Sequence, residues 1–147
     1  MSNWTHVAGI IRVDRIRVDD DAEELDFDEI LGKECLSDSS REVWDDASKN
    51  PDKYMPMGSE GSLQKSVWIN PNKGRVDSYT VSVFGDLRDH DSISEIIDWF
   101  IEKCNLLWVR NAVITVENER YGTKTYTYQW SEKQKWKTTS IGSYSID

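Results

Sequence analysis

One stretch of the chain, Ser78 to Glu117, constrains the fold more than any other. It begins with the segment SYTVSVFGDL, whose alternation predicts a strand because successive side chains on a strand point to opposite faces. The segment SISEIIDWFIEKC then repeats apolar residues at the spacing of a helix, and VRNAVITVEN alternates again. The stretch therefore predicts a β-α-β unit whose first strand and helix are joined by the acidic turn RDHD.

Both ends of the predicted helix carry residues that favour helix termini. Ser92 and Glu95 have the spacing of a capping box, which satisfies backbone N–H groups at a helix start. Asn105 follows the last apolar position and suits the left-handed conformation that ends many helices. Periodicity and capping agree, so we expect a helix over this segment.

The rest of the chain completes an α+β pattern. Further strands are predicted over Trp4–Val13, which alternates, over Leu63–Ile69 before a turn, and over Thr123–Trp130, which is rich in hydroxyl and aromatic residues. The composition of Phe27–Asn50 is mostly helical. The resulting order, β-α-β-β-α-β-β, matches in its first six elements the split β-α-β arrangement of ferredoxin-like folds. Such a fold has helices on one face of an antiparallel sheet, with the last strand as an extra C-terminal strand. A different α+β meander with the same elements is the alternative.

The length of the chain suits a single domain. At 147 residues it can bury a core without disulfides or metals. We expect one α+β domain over residues 1–130 and a polar C-terminal tail over residues 131–147.

The predicted topology brings distant residues to one edge of the sheet. In a split β-α-β sheet, the starts of the first two strands meet the ends of the third and fourth. We expect a ligand-binding site at this edge, with no catalytic residue, metal ligand or cofactor assigned. Its predicted residues are Trp4, His6, Ser59, Glu60, Gly61, Ser62, Arg88, Asp89, His90 and Arg120.

The acidic turn at this edge has two interpretations. His90 lies between Asp89 and Asp91, and imidazole with carboxylates can bind a divalent metal or exchange protons. A metal-dependent hydrolase would use this turn with His6 and Asp86. The other interpretation is structural, because negative charge at a helix start is favoured by the helix dipole.

The loop Gly-Ser-Glu-Gly-Ser at 58–62 also has two interpretations. Its backbone N–H groups and hydroxyls can surround an anion, and Arg88 and Arg120 can pair with phosphates. A protein that sequesters a nucleotide signal would use these groups. Glycine and serine are equally typical of a turn that leads into a strand.

The net charge of the chain limits the kinds of partner that it can bind. A formal net charge of -9 disfavours direct binding to a nucleic-acid backbone, which requires clustered Lys and Arg. The acidic surface either maintains solubility or docks on a basic groove of a partner protein.

Aromatic residues follow the predicted hairpin and the last strand, which we expect to be solvent-facing or an edge strand. They either pair across strands or form an exposed surface that binds a partner or a second copy of the chain. These residues are Trp68, Tyr79, Tyr126, Tyr128 and Trp130.

The sequence also predicts an intracellular protein. Cys35 and Cys104 are the only cysteines, and Cys104 lies on the apolar face of the predicted helix, where we expect a buried thiol. Neither a signal peptide nor a membrane-spanning segment is recognisable, so we expect no membrane partner.

Three short stretches resemble small, uncharacterised phage-encoded proteins. They are WTHVAGIIRVD, MGSEGSL and VSVFGDLRDHD, well under half of the chain, and none contains a catalytic motif. The resemblance implies a phage accessory protein in the bacterial cytoplasm that antagonises host defence. Together with the acidic charge, it leads us to expect a non-enzymatic protein that binds and inhibits a host protein.

Overall fold

The part of the chain that the structure describes contains both helices and strands. The structure is a computed structural model, and it describes residues 2–17, 23–35, 41–72, 74–129 and 143–146. The helices are α1 (Phe27–Leu31), α2 (Arg41–Lys49) and α3 (Ile93–Asn105), with a 3₁₀ turn over Pro51–Lys53. The strands are β1 (Trp4–Ile16), β2 (Gln64–Ile69), β3 (Val76–Arg88), β4 (Val109–Asn118), β5 (Gly122–Gln129) and β6 (Ser143–Ile146). The protein is therefore mixed α+β, as the sequence predicts.

The strands form one sheet in the order β2-β3-β1-β4-β5-β6. Every neighbouring pair is antiparallel. β1 is central, between β3 and β4, which agrees with the apolar residues on both of its faces. The first strand of the chain therefore pairs only with strands that follow much later.

The prediction of an edge position for β5 is wrong, because β6 pairs with its outer side. Tyr126 and Tyr128 are 0% and 5% exposed, so these tyrosines belong to the core and form no exposed aromatic surface. Tyr79 is likewise buried, whereas Trp68 is exposed. Trp130 and residues 131–142 of the predicted tail lie outside the described residues. Within 143–146, β6 is a strand that the sequence did not predict.

The core lies on one face of the sheet, which we call the covered face. Odd-numbered residues of β1, such as Val7, Ile11 and Val13, point to this face and are buried. Side chains of α1 and α3 pack against them, with Phe27 edge-on to Tyr79 and Phe100 edge-on to Tyr126.

The opposite face of the sheet, which we call the open face, is exposed. Even-numbered residues of β1 point to it, and their partners on β3 and β4 continue it. It includes several large apolar side chains. Among them are Ile10, Trp68, Phe84 and Val113, which are 45%, 57%, 41% and 40% exposed.

The start of α3 confirms the predicted cap, but its end differs. Ser92 is the N-cap, and its hydroxyl accepts a hydrogen bond from the Glu95 backbone N–H at 3.2 Å. Asn105 is still helical, and the C-cap is Leu106 in a right-handed conformation (φ -83°). The predicted left-handed Asn105 is wrong because Leu106 N–H reaches the carbonyl of Lys103 and closes the last turn instead.

Both cysteines are buried, as expected for Cys104. Burial in the core raises the pKa of the Cys104 thiol to about 12. This thiol therefore stays protonated at neutral pH and acts as a small apolar side chain.

Candidate functional site

The strand register brings the predicted site residues to one end of the sheet. Trp4 at the start of β1 lies opposite Arg88 at the end of β3. Thr5 lies opposite Asn118 at the end of β4. The loop before β2 joins them, because the Ser59 N–H donates to the Arg88 carbonyl at 2.8 Å. This convergence of strand ends is the one that the predicted topology requires.

A buried polar network, which the sequence analysis missed, holds this end together. Asn3, Thr5 and Asn118 are 6%, 0% and 2% exposed. The Asn118 amide donates to the Thr5 hydroxyl at 2.8 Å, and that hydroxyl donates to the His90 carbonyl at 2.6 Å. Buried polar groups that are all hydrogen-bonded fix the geometry of the segments they join.

The same network fixes the turn between β4 and β5. The side-chain carbonyl of Asn118 accepts hydrogen bonds from the backbone N–H groups of Arg120 and Tyr121, both at 2.9 Å. The only local signal for this role is that asparagine often accepts such bonds at the start of a turn. Arg120 is exposed, and its guanidinium lies 6.0 Å from the ring centroid of Tyr121.

Two hydrogen bonds with Asn3 hold Asp89 in place. Its backbone N–H donates to the Asn3 carbonyl at 2.6 Å, and its side chain accepts from the Asn3 N–H at 3.1 Å. Asp89 adopts a left-handed conformation (φ 57°), which aspartate tolerates better than most residues. The hydrogen bond from Asn3 and a second from the Ser59 hydroxyl hold the pKa of Asp89 below its usual range.

The loop at 58–62 is hydrogen-bonded to the end of β3. Its contacts include a bond from Arg88 N–H to the Glu60 carbonyl at 3.0 Å. The glycines are required here, because a Cβ at Gly58 would collide with the Arg88 backbone and a Cβ at Gly61 with the Asp86 carbonyl. Backbone groups that bind β3 are not available to surround an anion.

Charged and hydroxyl side chains in this loop and beside it also form hydrogen bonds. Arg88 donates to the Glu60 carboxylate at 2.7 Å and to the Ser2 hydroxyl at 3.0 Å. Ser62 is buried, and its hydroxyl accepts from the Cys35 N–H at 3.1 Å and donates to the Leu63 carbonyl at 2.9 Å. Nucleotide binding by this loop stays a prediction, and these hydrogen bonds work against it.

The two histidines lie on opposite faces of the sheet. His6 is exposed on the open face, with its Nδ1 2.7 Å from the Asp86 carboxylate. His90 lies on the covered side, beside a cavity of about 200 Å³ that Tyr54, Ile96 and Trp99 also line. Within the described part of the chain, no group of three or more His, Cys, Asp or Glu side chains is placed to hold a metal ion.

The pKa of His6 reflects the charges that surround it. The hydrogen bond with Asp86 raises the pKa of His6, and the charges of Asp86, Glu119 and Glu117 raise it further, against a smaller lowering by burial. Carboxylates of three different segments therefore converge on this imidazole.

Exposed carboxylates dominate this end of the sheet. Five of them lie at or beside this end, and we call this set the acidic edge: Glu60, Asp89, Asp91, Glu95 and Glu119. The network orients two of the five through Asn3, whose amide also donates to Asp91 at 2.8 Å. Glu119 is held by the Trp4 backbone N–H at 2.8 Å, and Trp4 itself is half-buried. Three of the five carboxylates are thus held in place, and the set remains net negative although Arg88 pairs with Glu60 and lies 3.7 Å from the Asp89 carboxylate.

Comparison of the chain with protein-family models, curated proteins and solved structures returns no match. Among the described helices, none is long and apolar enough to cross a membrane. The geometry of the acidic edge is therefore the basis for assigning a function.

Proposed function

We propose that this chain is a non-enzymatic binding protein that docks its acidic edge on a basic surface of a partner protein. The observation that carries this proposal is the acidic edge itself, in which Asn3 orients Asp89 and Asp91 and the Trp4 backbone N–H holds Glu119. Opposite charges across an interface steer the encounter and select the partner.

The rigidity of the acidic edge supports a binding role. A surface that is already ordered loses less conformational entropy when it binds than a mobile one does. Tyr121 is 60% exposed beside the edge, and exposed tyrosines are frequent anchors in protein interfaces. A charged surface with an adjacent aromatic anchor fits a protein partner.

We further propose that the partner is a bacterial host protein and that the chain acts as a phage accessory protein inhibiting host defence in the cytoplasm. The support is the resemblance of three stretches to phage-encoded proteins. In space, these stretches are neighbours, because Trp4 of the first lies opposite Arg88 of the third, and Ser59 of the second donates to the Arg88 carbonyl. They contribute much of the acidic edge.

We also propose that the fold is of the ferredoxin-like, split β-α-β type. The order β2-β3-β1-β4 and the helix α3 between β3 and β4 support this assignment. In the described residues between β1 and β2 there are two short helices and a 3₁₀ turn, where such folds have one longer helix.

Charge reversal at the acidic edge tests the function. The protein is immobilised, a bacterial host lysate is passed over it, and retained proteins are eluted with increasing salt. We expect one basic protein that elutes as salt screens the contact. The variant Glu60→Lys/Glu95→Lys should lose it, because both side chains are exposed and their charges would then repel the partner.

The matched control is Glu60→Lys/Glu102→Lys compared with Glu60→Lys alone. Glu102 is 70% exposed on the same helix as Glu95, and seven residues place it about 10 Å further from the edge. Adding Glu102→Lys should leave retention unchanged, whereas adding Glu95→Lys should abolish it. Retention of the same protein by all variants, or of none by the unmodified chain, would contradict the proposal.

A further inference from the structure

The open face carries a continuous apolar patch at its centre. Ile10 lies directly opposite Val113 on β4, and Ala8 lies directly opposite Phe84 on β3. Ala8 and Ile10 are neighbours on the same face of β1, so the four side chains adjoin one another. A depression of about 320 Å³ beside Ile10 and Val113 leaves room for side chains of a second sheet.

Opposite charges lie at the two ends of this patch. At one end, His6 lies between Asp86 on β3 and Glu117 on β4. At the other end, Arg12 lies between the neutral residues Thr80 and Asn111. His6 and Arg12 are each three residues from Gly9, or about 10 Å along the strand. The charges are therefore arranged symmetrically about the centre of the patch.

We propose that the open face binds a second copy of this chain, with a two-fold axis that crosses the strands at Gly9. This axis places Arg12 of each protomer over His6 of the other, between its Asp86 and Glu117. It also brings the two Phe84 rings together at the centre.

The charges select this axis over the other simple arrangement. In the aligned class of sheet packing, the strands of the two sheets lie within about 30° of each other, so a two-fold axis in the interface runs roughly across the strands or roughly along them. An axis along β1 would stack Arg12 on Arg12 and the acidic ends on each other. Like charges in contact are unfavourable, whereas the axis across the strands forms each opposite-charge contact twice.

The size of the face is sufficient for a dimer. The five strands from β2 to β5 in the sheet order are about 4.8 Å apart. With about eight residues from each strand at about 3.3 Å a residue, they form a face of about 24 by 26 Å. Two copies would bury about 1,200 Å² in total, the lower limit of specific interfaces. The acidic edge defined above is not part of this area, so dimerisation and partner binding are separate properties.

Sedimentation velocity over a range of protein concentrations tests the proposal. The unmodified chain should form a dimer as the concentration rises. Phe84→Glu should raise the dissociation constant about 30-fold or more, because two carboxylates would then meet at the centre. Leu106→Glu is the matched control: Leu106 is 64% exposed at the end of α3, away from the open face, and this change should leave the dimer intact.

Two charge variants test the axis itself. Arg12→Glu and Asp86→Arg should each raise the dissociation constant about 10-fold, because each places like charges in contact at both ends of the dimer. An equimolar mixture of the two variants should dimerise again, since each mixed dimer pairs Glu with Arg at one end and Arg with Asp at the other. This rescue requires contact between protomers, so misfolding of a variant cannot imitate it.

A chain that stays monomeric at every concentration overturns the proposal. A dimer that Phe84→Glu leaves intact places the interface elsewhere and also overturns it. Failure of the mixture to dimerise, when each variant has the circular dichroism spectrum and melting temperature of a folded protein, refutes the axis across the strands.

Discussion

The covered face and the open face are built from alternate residues of the same strands, yet their apolar side chains have different roles. Ile11 is fully buried, whereas its neighbour Ile10 is 45% exposed. Both are isoleucines on the central strand, so only the direction of the side chain differs. The comparison indicates that apolar residues of the covered face stabilise the fold, and that those of the open face are available for association.

The largest difference in the free energy of unfolding should appear between alanine substitutions of these two isoleucines. Ile11→Ala should lower the free energy of unfolding by about 2–5 kcal/mol, because it leaves a cavity in a packed core. Ile10→Ala should lower it by less than about 1 kcal/mol, since a half-exposed side chain leaves no cavity. Urea denaturation at a concentration that keeps the protein monomeric measures both values. Equal losses would mean that a layer of the chain's own structure covers the open face.

Two asparagines of β4 extend the comparison to polar residues. Asn118→Ala should cost about 1–3 kcal/mol, because it removes the hydrogen bonds that the Asn118 amide makes with the buried Thr5 hydroxyl and with the Arg120 and Tyr121 N–H groups. Asn111→Ala, on the open face of the same strand, should change stability by about 0.5 kcal/mol or less. Thermal or urea unfolding distinguishes them, and a stable Asn118 variant would show that the network is not needed to hold the edge.

The smallest effect should be the pH dependence of the His6–Asp86 pair. Because the folded-state pKa of His6 is raised, the pair stabilises the fold fully below the ordinary histidine pKa of 6.5. This contribution is lost as the pH rises through the raised pKa. Asp86→Asn should lower the pKa of His6, which NMR titration of the imidazole protons measures directly. Glu102→Gln, a control that removes a carboxylate from α3, should leave it unchanged.

Local pattern was sufficient to predict the main elements and their meeting point. Alternation located β1, β3 and β4, and the Ser92 cap located the start of α3. These features depend on neighbouring residues, so they can be read from a single segment. The convergence of strand ends follows from the predicted topology, which places Arg88 and Trp4 at the same edge, and the register shows that they are paired.

Contacts between distant segments could not be predicted in the same way. Asn3 and Thr5 carry no local signal of burial, because their partners Asp91 and Asn118 are far away in the sequence. The many hydroxyl and aromatic residues around Tyr126 favour a solvent-facing or edge strand, and only the packing of α3 shows that Tyr126 is core. Side-chain chemistry alone indicated which residues can form a site, not which of them are already paired.

The central position of β1 has a consequence for folding. Its first residues pair with residues more than 80 positions later, so the sheet cannot form until most of the chain is synthesised. Pairings between such distant segments make folding slow, because a long loop must close before any contact compensates for it. During that interval the apolar segment VAGIIRV has no partner strand, which exposes it to aggregation.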